Sequence, residues 1–426
     1  MPRPLLLSLI VYFLLLAGII TVHGELIALA LPFVVYLLAG FLRAPDEIKL
    51  EATRHLSTER TSPKADVIVT VTITNRGTAL EEVLLEDKVP EDLTIRSGSS
   101  RHLLRLPKGD PYTFTYTISG PRGGYGFEKL HAQVNDHLAV TGRKVQLDAK
   151  GQLFVFPPVM RLRHVAIRPR RTRVYAGTIP ARAGGAGTEF FGVREYQPGD
   201  PPRAINWRAS ARQAEALYSN EFQQERVADV GIVLDGRLRT NEFARGQSLF
   251  EYSVQAAAAL ADALLTQGNR VGLLVYASYL RWTLPGYGKV QRERILHSLA
   301  HAKPGGSQVF SVLENLPTRL FPPESQIILV SPLTDDDLTP LVQLRAQGYQ
   351  VLVVSPDPVK FELSYLPRNP TVDLAARVIH MERTLLLKRI QRASIQILDW
   401  DVAEPFDLVV KRKLSHPPAW LRAVGR

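Results

Sequence analysis

The sequence predicts a multi-domain chain: an N-terminal transmembrane helical hairpin, then an antiparallel β-sandwich, then an α/β domain with a mostly parallel sheet. Three observations predict it. Two uninterrupted apolar runs open the chain. A stretch of about 100 residues then alternates with period two. The remainder alternates continuous apolar strands with helical patterns.

The apolar runs are Leu5 to Val22 and Leu26 to Leu42, separated only by His23, Gly24 and Glu25. Each holds about 18 residues, and a rise of ~1.5 Å gives ~27 Å, near the ~30 Å hydrocarbon core of a bilayer. A cleaved signal peptide does not fit, because the second run follows at once without an A-x-A cleavage pattern. Arg3 precedes the first run and Arg43, Lys49 and Arg54 follow the second, while the turn has no lysine or arginine. The positive-inside rule then predicts a multi-pass cell-membrane protein whose soluble domains face the cytoplasm. The two spans would touch membrane lipids as an anchor rather than line a transport path, since neither carries a charge. Residues 1–45 are assigned to this hairpin.

Residues 46–150 read as a sandwich of immunoglobulin-like type. "DVIVTVTITNRGT" (Asp66 to Thr78) is a strand ending in a turn, and "YTFTYTISGPRGGYGF" (Tyr112 to Phe127) is another, broken by Gly-Pro and Gly-Gly. Residues 151–226 form a glycine-containing connector rich in arginine. Residues 227–402 hold the apolar runs "VGIVLD", "RVGLLVYA", "QIILVSP", "YQVLVVSP" and "SIQILDW", each fit for a strand covered on both faces. "YLRWTLPGYG" (Tyr279 to Gly288) reads as an antiparallel edge hairpin, and residues 403–426 as a basic tail that is solvated or touches anionic headgroups.

The chain has 426 residues, a net charge of +11 and no cysteine. That excludes disulfides, thiolate metal sites and thiol nucleophiles. From Gly151 to Gly288 every basic charge is arginine and lysine is absent. Arginine suits bidentate ion pairs as well as phosphate, so no nucleic-acid partner is expected, and an arginine-based nucleic-acid binder stands only as an alternative class. The histidines have no H-E-x-x-H spacing and no G-x-S-x-G elbow occurs. "ARAGGAGTEF" (Ala181 to Phe190) lacks the Gly-Lys-Ser/Thr ending of a phosphate loop and reads as a flexible connector.

The densest motif is "GTEFFGVREYQPGDPPRAINWRASAR", Gly187 to Arg212. Its candidate residues are Glu189, Arg194, Glu195, Tyr196, Gly199, Asp200, Arg203, Trp207 and Arg212. Gln197-Pro198-Gly199-Asp200 has the composition of a type II turn, with Asp200 capping a helix that starts at Pro201. Arg203 and Trp207 would then share one helix face, and Arg208 and Arg212 another, with Glu189, Glu195 and Asp200 as ion-pair partners. Catalysis is not expected, because arginine is a poor base and arginine neighbours keep the carboxylates ionised. An internal clasp and a docking surface both remain open.

These residues, with "RGGYGF", "LFVFPPV" and "SIQILDWDVAEPF", resemble the domain of unknown function 58 (DUF 58) family. The resemblance implies a membrane anchor and a Rossmann-type domain like that of von Willebrand factor A. It also implies a MoxR-type AAA+ ATPase as partner in the assembly of client proteins still to be identified. No enzymatic reaction and no cofactor are implied. A von Willebrand A domain usually holds Mg²⁺ through an Asp-x-Ser-x-Ser loop. Here Asp235 keeps the first position, but Arg237 and Arg239 take those of the serines, and Pro332 stands where a second aspartate is expected. Ser307 can stand for the family's threonine. The site reads as degenerate and metal-free, with Asp335, Asp336 and Asp337 as a solvated helix N-terminus. A metal-dependent receptor or enzyme using Asp235 is the alternative.

Overall fold

The computed structural model describes residues 3–42, 48–135, 142–162, 165, 167, 172–212, 216–307 and 309–414. Side chains within these ranges are described except at 3, 4, 40–42, 172–189, 191, 222–226 and 318. The chain divides into two compact units, Met1–Phe156 and Pro157–Arg426.

The first unit opens with helices α1 (Arg3–Thr21) and α2 (Gly24–Leu42). Among the described residues no helix is long and apolar enough to cross a membrane. Pro32 falls inside α2, where it removes a backbone donor. The expected transmembrane hairpin and multi-pass membrane localisation are therefore corrected.

Among the described residues nine strands follow: β1 (Leu50–Leu56), β2 (Arg60–Thr61), β3 (Val67–Asn75), β4 (Leu80–Asp87), β5 (Thr94–Gly98), β6 (Arg101–Leu106), β7 (Pro111–Ser119), β8 (Gly123–Asn135) and β9 (Gly142–Val155). They form a four-stranded sheet, β1-β3-β7-β5, and a five-stranded sheet, β2-β9-β8-β4-β6. Period-two alternation decides the faces: Val67, Val69, Val71 and Ile73 of β3 are buried while Ile68 is exposed. One core draws on both sheets, joining these residues to Leu85, Leu130 and Leu153. Burying each such side chain contributes about 1.5–3 kcal/mol. A polar bolt crosses the same core. Arg54 of β1 donates to Asp87 of β4, and the Tyr116 hydroxyl of β7 donates to Asp87 at 2.7 Å. Burial, reinforced by Asp87, raises the pKa of that phenol.

The second unit begins with β10 (Thr172–Glu195), which pairs antiparallel with the first half of β11 (Tyr218–Asp235). The glycine-rich segment read as a flexible connector lies inside β10, and β11 starts nine residues before the expected boundary at Val227. Pairing with β10, through several register shifts, extends the strand where no apolar pattern marks it. A short helix α3 (Trp207–Ser210) separates the two strands.

Beyond β11 come the two-residue strands β12 (Phe243–Ala244) and β13 (Gln247–Ser248), then α4 (Leu249–Thr266), β14 (Arg270–Tyr276), β15 (Leu280–Gly286) and α5 (Gly288–Ala300). They are followed by β16 (Gln326–Val330), α6 (Leu338–Ala346), β17 (Gln350–Pro356), α7 (Pro358–Leu363), α8 (Pro370–Arg392), β18 (Gln396–Trp400) and α9 (Phe406–Leu414). The sheet order is β15-β14-β11-β16-β17-β18, parallel except for the antiparallel edge strand β15. The order reverses between β14 and β16 on either side of β11. In doubly wound sheets ligands sit in the crevice at such a switch point, outside the carboxyl ends of the strands. At the chain's far end Phe406, Val409, Val410 and Leu414 of α9 are buried, so part of the expected tail belongs to the domain. Residues 415–426 lie outside the described residues.

Candidate functional site

Asp235 ends β11 at the switch point and is fully buried. Its neighbour Arg237, 2% exposed, folds back over it and leads into a 3-10 turn, Leu238–Thr240. The Arg237 guanidinium donates from Nε to Asp235 Oδ1 at 2.9 Å and from Nη2 to Asp235 Oδ2 at 2.8 Å. Its other edge donates to Asp337, from Nη1 to Oδ1 at 2.9 Å and from Nη2 to Oδ2 at 2.8 Å. A planar fork is thus gripped by two carboxylates, and Nη1 also reaches the Ser311 carbonyl at 3.3 Å.

Two hydroxyls complete the cluster. Ser331, just past β16, donates to Asp235 Oδ2 at 2.6 Å, and Thr240 donates to the same oxygen at 3.1 Å. Asp337 is anchored in turn by the Thr334 backbone N–H at 2.8 Å and its hydroxyl at 3.1 Å. Burial alone would lower the pKa of Arg237. The hydrogen bonds and charges of Asp235, then of Asp337, outweigh it and raise the pKa above the ordinary arginine value. Tyr276, whose hydroxyl donates to the Val312 carbonyl at 2.6 Å, is pushed up to about 12, first by burial.

The oxygens of Asp235, Asp337, Ser331 and Thr240 are the hard donors a dication takes. The guanidinium occupies the space between the two carboxylates, so the residues present do not fit a metal. Ser307 does not join them: its hydroxyl accepts from the Phe310 N–H at 3.5 Å. Arg239 turns away to Asp336 at 3.0 Å. The reading of all three aspartates as solvated is corrected at Asp337, which is fully buried by its pairing with Arg237. Sequence reasoning missed Ser331, Thr240 and the role of Asp337. Arginine two residues after a strand-terminal aspartate was the one available signal, and it names no partner.

A second polar cluster lies at the ends of the next strands. Arg383 of α8 donates to the Pro332 carbonyl at 2.8 Å, the Ser355 hydroxyl at 2.9 Å and Asp399 at 2.8 Å. It ties β16, β17 and β18 to the helix that covers them.

The motif of residues 187–212 divides into a clasp and an exposed turn. Gly199 adopts φ 111°, open to glycine, and the Asp200 N–H donates to the Gln197 carbonyl at 3.0 Å. Asp200 accepts from the Gln197 N–H at 3.0 Å and from Arg194 Nη2 at 2.7 Å, while the Tyr196 hydroxyl donates to its carbonyl at 3.2 Å. The hydrogen bond from Arg194, then that from Gln197, lowers the Asp200 pKa, and the same bond raises that of Arg194. Arg194 also lies 3.7 Å from Glu221.

Asp200 therefore closes the turn and caps no helix, contrary to expectation. The helix expected from Pro201 is interrupted at Ile205, φ −62° and ψ 126°, because Ile205 bridges to Ser219 beside β11. Only Pro202–Ala204 and Trp207–Ser210 are helical, and Asn206 caps the latter by accepting from the Ala209 N–H at 2.9 Å. Arg203 and Trp207 do not share a continuous helix. Trp207 is 67% exposed, and Arg203, Arg208 and Arg212 are exposed without an ion pair among the described residues. Glu195 is exposed, and the side chain of Glu189 lies outside the described residues.

Residues 192–378 match the family described as protein of unknown function DUF58. That span carries both the clasp and the Asp235–Arg237–Asp337 cluster. The chain is also 26% identical over 248 residues to YeaD, an uncharacterized protein of Bacillus subtilis (strain 168), covering 57% of this chain and 59% of that relative. The chain thus spans about three fifths of that relative's length. Among solved structures it aligns with proximal thread matrix protein 1 of the mussel byssus at 17% identity and a TM-score of 0.23, over 38% of this chain and 46% of the other. It aligns with the CARDB domain of the PF1109 protein of Pyrococcus furiosus at 9% identity and a TM-score of 0.17, over 25% and 91%. Likenesses this low carry no argument.

Proposed function

We propose that this chain is a non-enzymatic protein-binding module. Its α/β unit is of the von Willebrand A-like type, and it works with a MoxR-type AAA+ ATPase in the assembly or maturation of other complexes. The observation that carries the reading is the exposure of Trp207 at the start of α3, which Asn206 caps, close in sequence to the turn that Arg194 and Asp200 close. Tryptophan and arginine are favoured anchors of protein interfaces, and here exposed arginines flank an exposed indole. The same reading accords with the switch-point crevice, where Arg237 holds Asp235 and Asp337 in an ion-pair cluster. The ATPase as partner rests on the family resemblance.

The test is binding of the full chain to a purified MoxR-type ATPase from the same cell. Trp207→Ala should weaken binding by about 2 kcal/mol or more. A wild-type chain that does not bind the ATPase removes the partner, and a Trp207→Ala chain that binds equally well removes the docking site.

A further inference from the structure

Helix α8 carries an apolar seam with no partner among the described residues. Arg383, Leu386, Leu387 and Ile390 turn inward and are buried. At about 100° per residue, Leu374, Val378, Met381 and Leu385 fall on the opposite side of the helix. All four are exposed, Leu374 and Met381 to 62% and 60%. Their spacing of four, three and four is that of the d, a, d, a positions of a heptad seam. Surface helices of a globular domain keep that side polar, so the pattern marks a helix-packing face.

The residues flanking the seam identify the occupant. Arg377 falls at g and Glu382 at the following e, one on each side of the apolar row. Both are exposed, without an ion pair among the described residues. Five positions apart on one helix they cannot meet each other. In a parallel pair of identical helices, however, each g residue faces the e residue five positions later on its partner. Arg377 of one copy then meets Glu382 of the other, twice by symmetry. An antiparallel pair would instead set Arg377 against Arg377 and Glu382 against Glu382.

We propose that α8 is a self-association surface at which two copies of this chain pack as a short parallel coiled coil. The seam spans about three turns, ~16 Å, before Lys388 interrupts it. So short a contact makes a weak, reversible dimer of the small-interface class rather than a permanent one.

Because the chain has no cysteine, single cysteines report the register directly. In a parallel pair like positions of the seam face each other within disulfide reach. Under mild oxidation the full-length Val378→Cys and Met381→Cys chains should each form covalent dimers several-fold more than Val290→Cys, an exposed position on α5. In the Met381→Cys chain, Arg377→Glu should suppress the dimer, and adding Glu382→Arg should restore it. Cross-linking no greater than at Val290→Cys would overturn the proposal. So would a cross-link that needs Val378→Cys on one copy and Met381→Cys on the other, the mark of antiparallel packing or of another register. Failure of the double charge reversal to restore the dimer would overturn it as well.

Discussion

Arg237 and Asp337, one hundred positions apart in the chain, are joined by two hydrogen bonds of 2.9 and 2.8 Å inside the switch-point crevice. With Asp235 on its other edge, Arg237 links the end of β11 to the start of α6. Buried ion pairs of this kind are costly to break, because the stranded partner stays charged and dry. Arg237→Ala leaves two carboxylates facing each other, and unfolding by denaturant should show a loss of about 3–5 kcal/mol. Arg237→Lys should recover less than half of that, since an ammonium cannot supply the fork both aspartates need.

The same cluster sets the response to metal. Millimolar Mg²⁺ should leave the melting temperature of the wild-type chain unchanged. A real site would stabilise by about 2.7 kcal/mol at a hundredfold excess over Kd, which a melting curve resolves. An upward shift that disappears in Asp235→Ala would refute this.

The clasp at Asp200 should show itself in acid. Its folded pKa lies below its unfolded value of about 3.9, so its stabilisation is complete above that value and is lost as pH falls through the folded pKa. The melting temperature of Asp200→Asn should therefore trail the wild type most near neutrality. The gap should close below about pH 4. A gap that is constant with pH would mean that Asp200 acts through shape alone.

Trp207 separates structure from docking. A core tryptophan cut to alanine costs about 3–5 kcal/mol. Trp207 is two-thirds exposed, so Trp207→Ala should shift the melting temperature little while weakening the protein contact. A large loss of stability would place the indole in a packed interface within the chain.

Local pattern made part of this protein legible from its residues. The period-two run over Asp66–Thr78 contains β3, and the continuous apolar runs "RVGLLVYA", "QIILVSP", "YQVLVVSP" and "SIQILDW" contain β14, β16, β17 and β18. A strand's side-chain period and its two-sided burial are written in consecutive residues. Asp235 and Arg237 were likewise recognisable as a cation beside a carboxylate.

Tertiary structure decided what depended on distant residues. Asp337 reads as a solvated cap until β16 and α6 bring it to Arg237, which lies across a strand crossover. Ile205 reads as helix until Ser219 captures its backbone, and that exchange leaves Asp200 closing a turn and Asn206 capping α3. The two apolar N-terminal runs suggest a bilayer by composition alone, whereas among the described residues no helix is long and apolar enough to cross one. Hydrophobic period is a nearest-neighbour property of the sequence. Ion-pair partners and strand bridges are fixed only when the whole sheet assembles, because the energy that selects them comes from burial that no short segment can supply by itself.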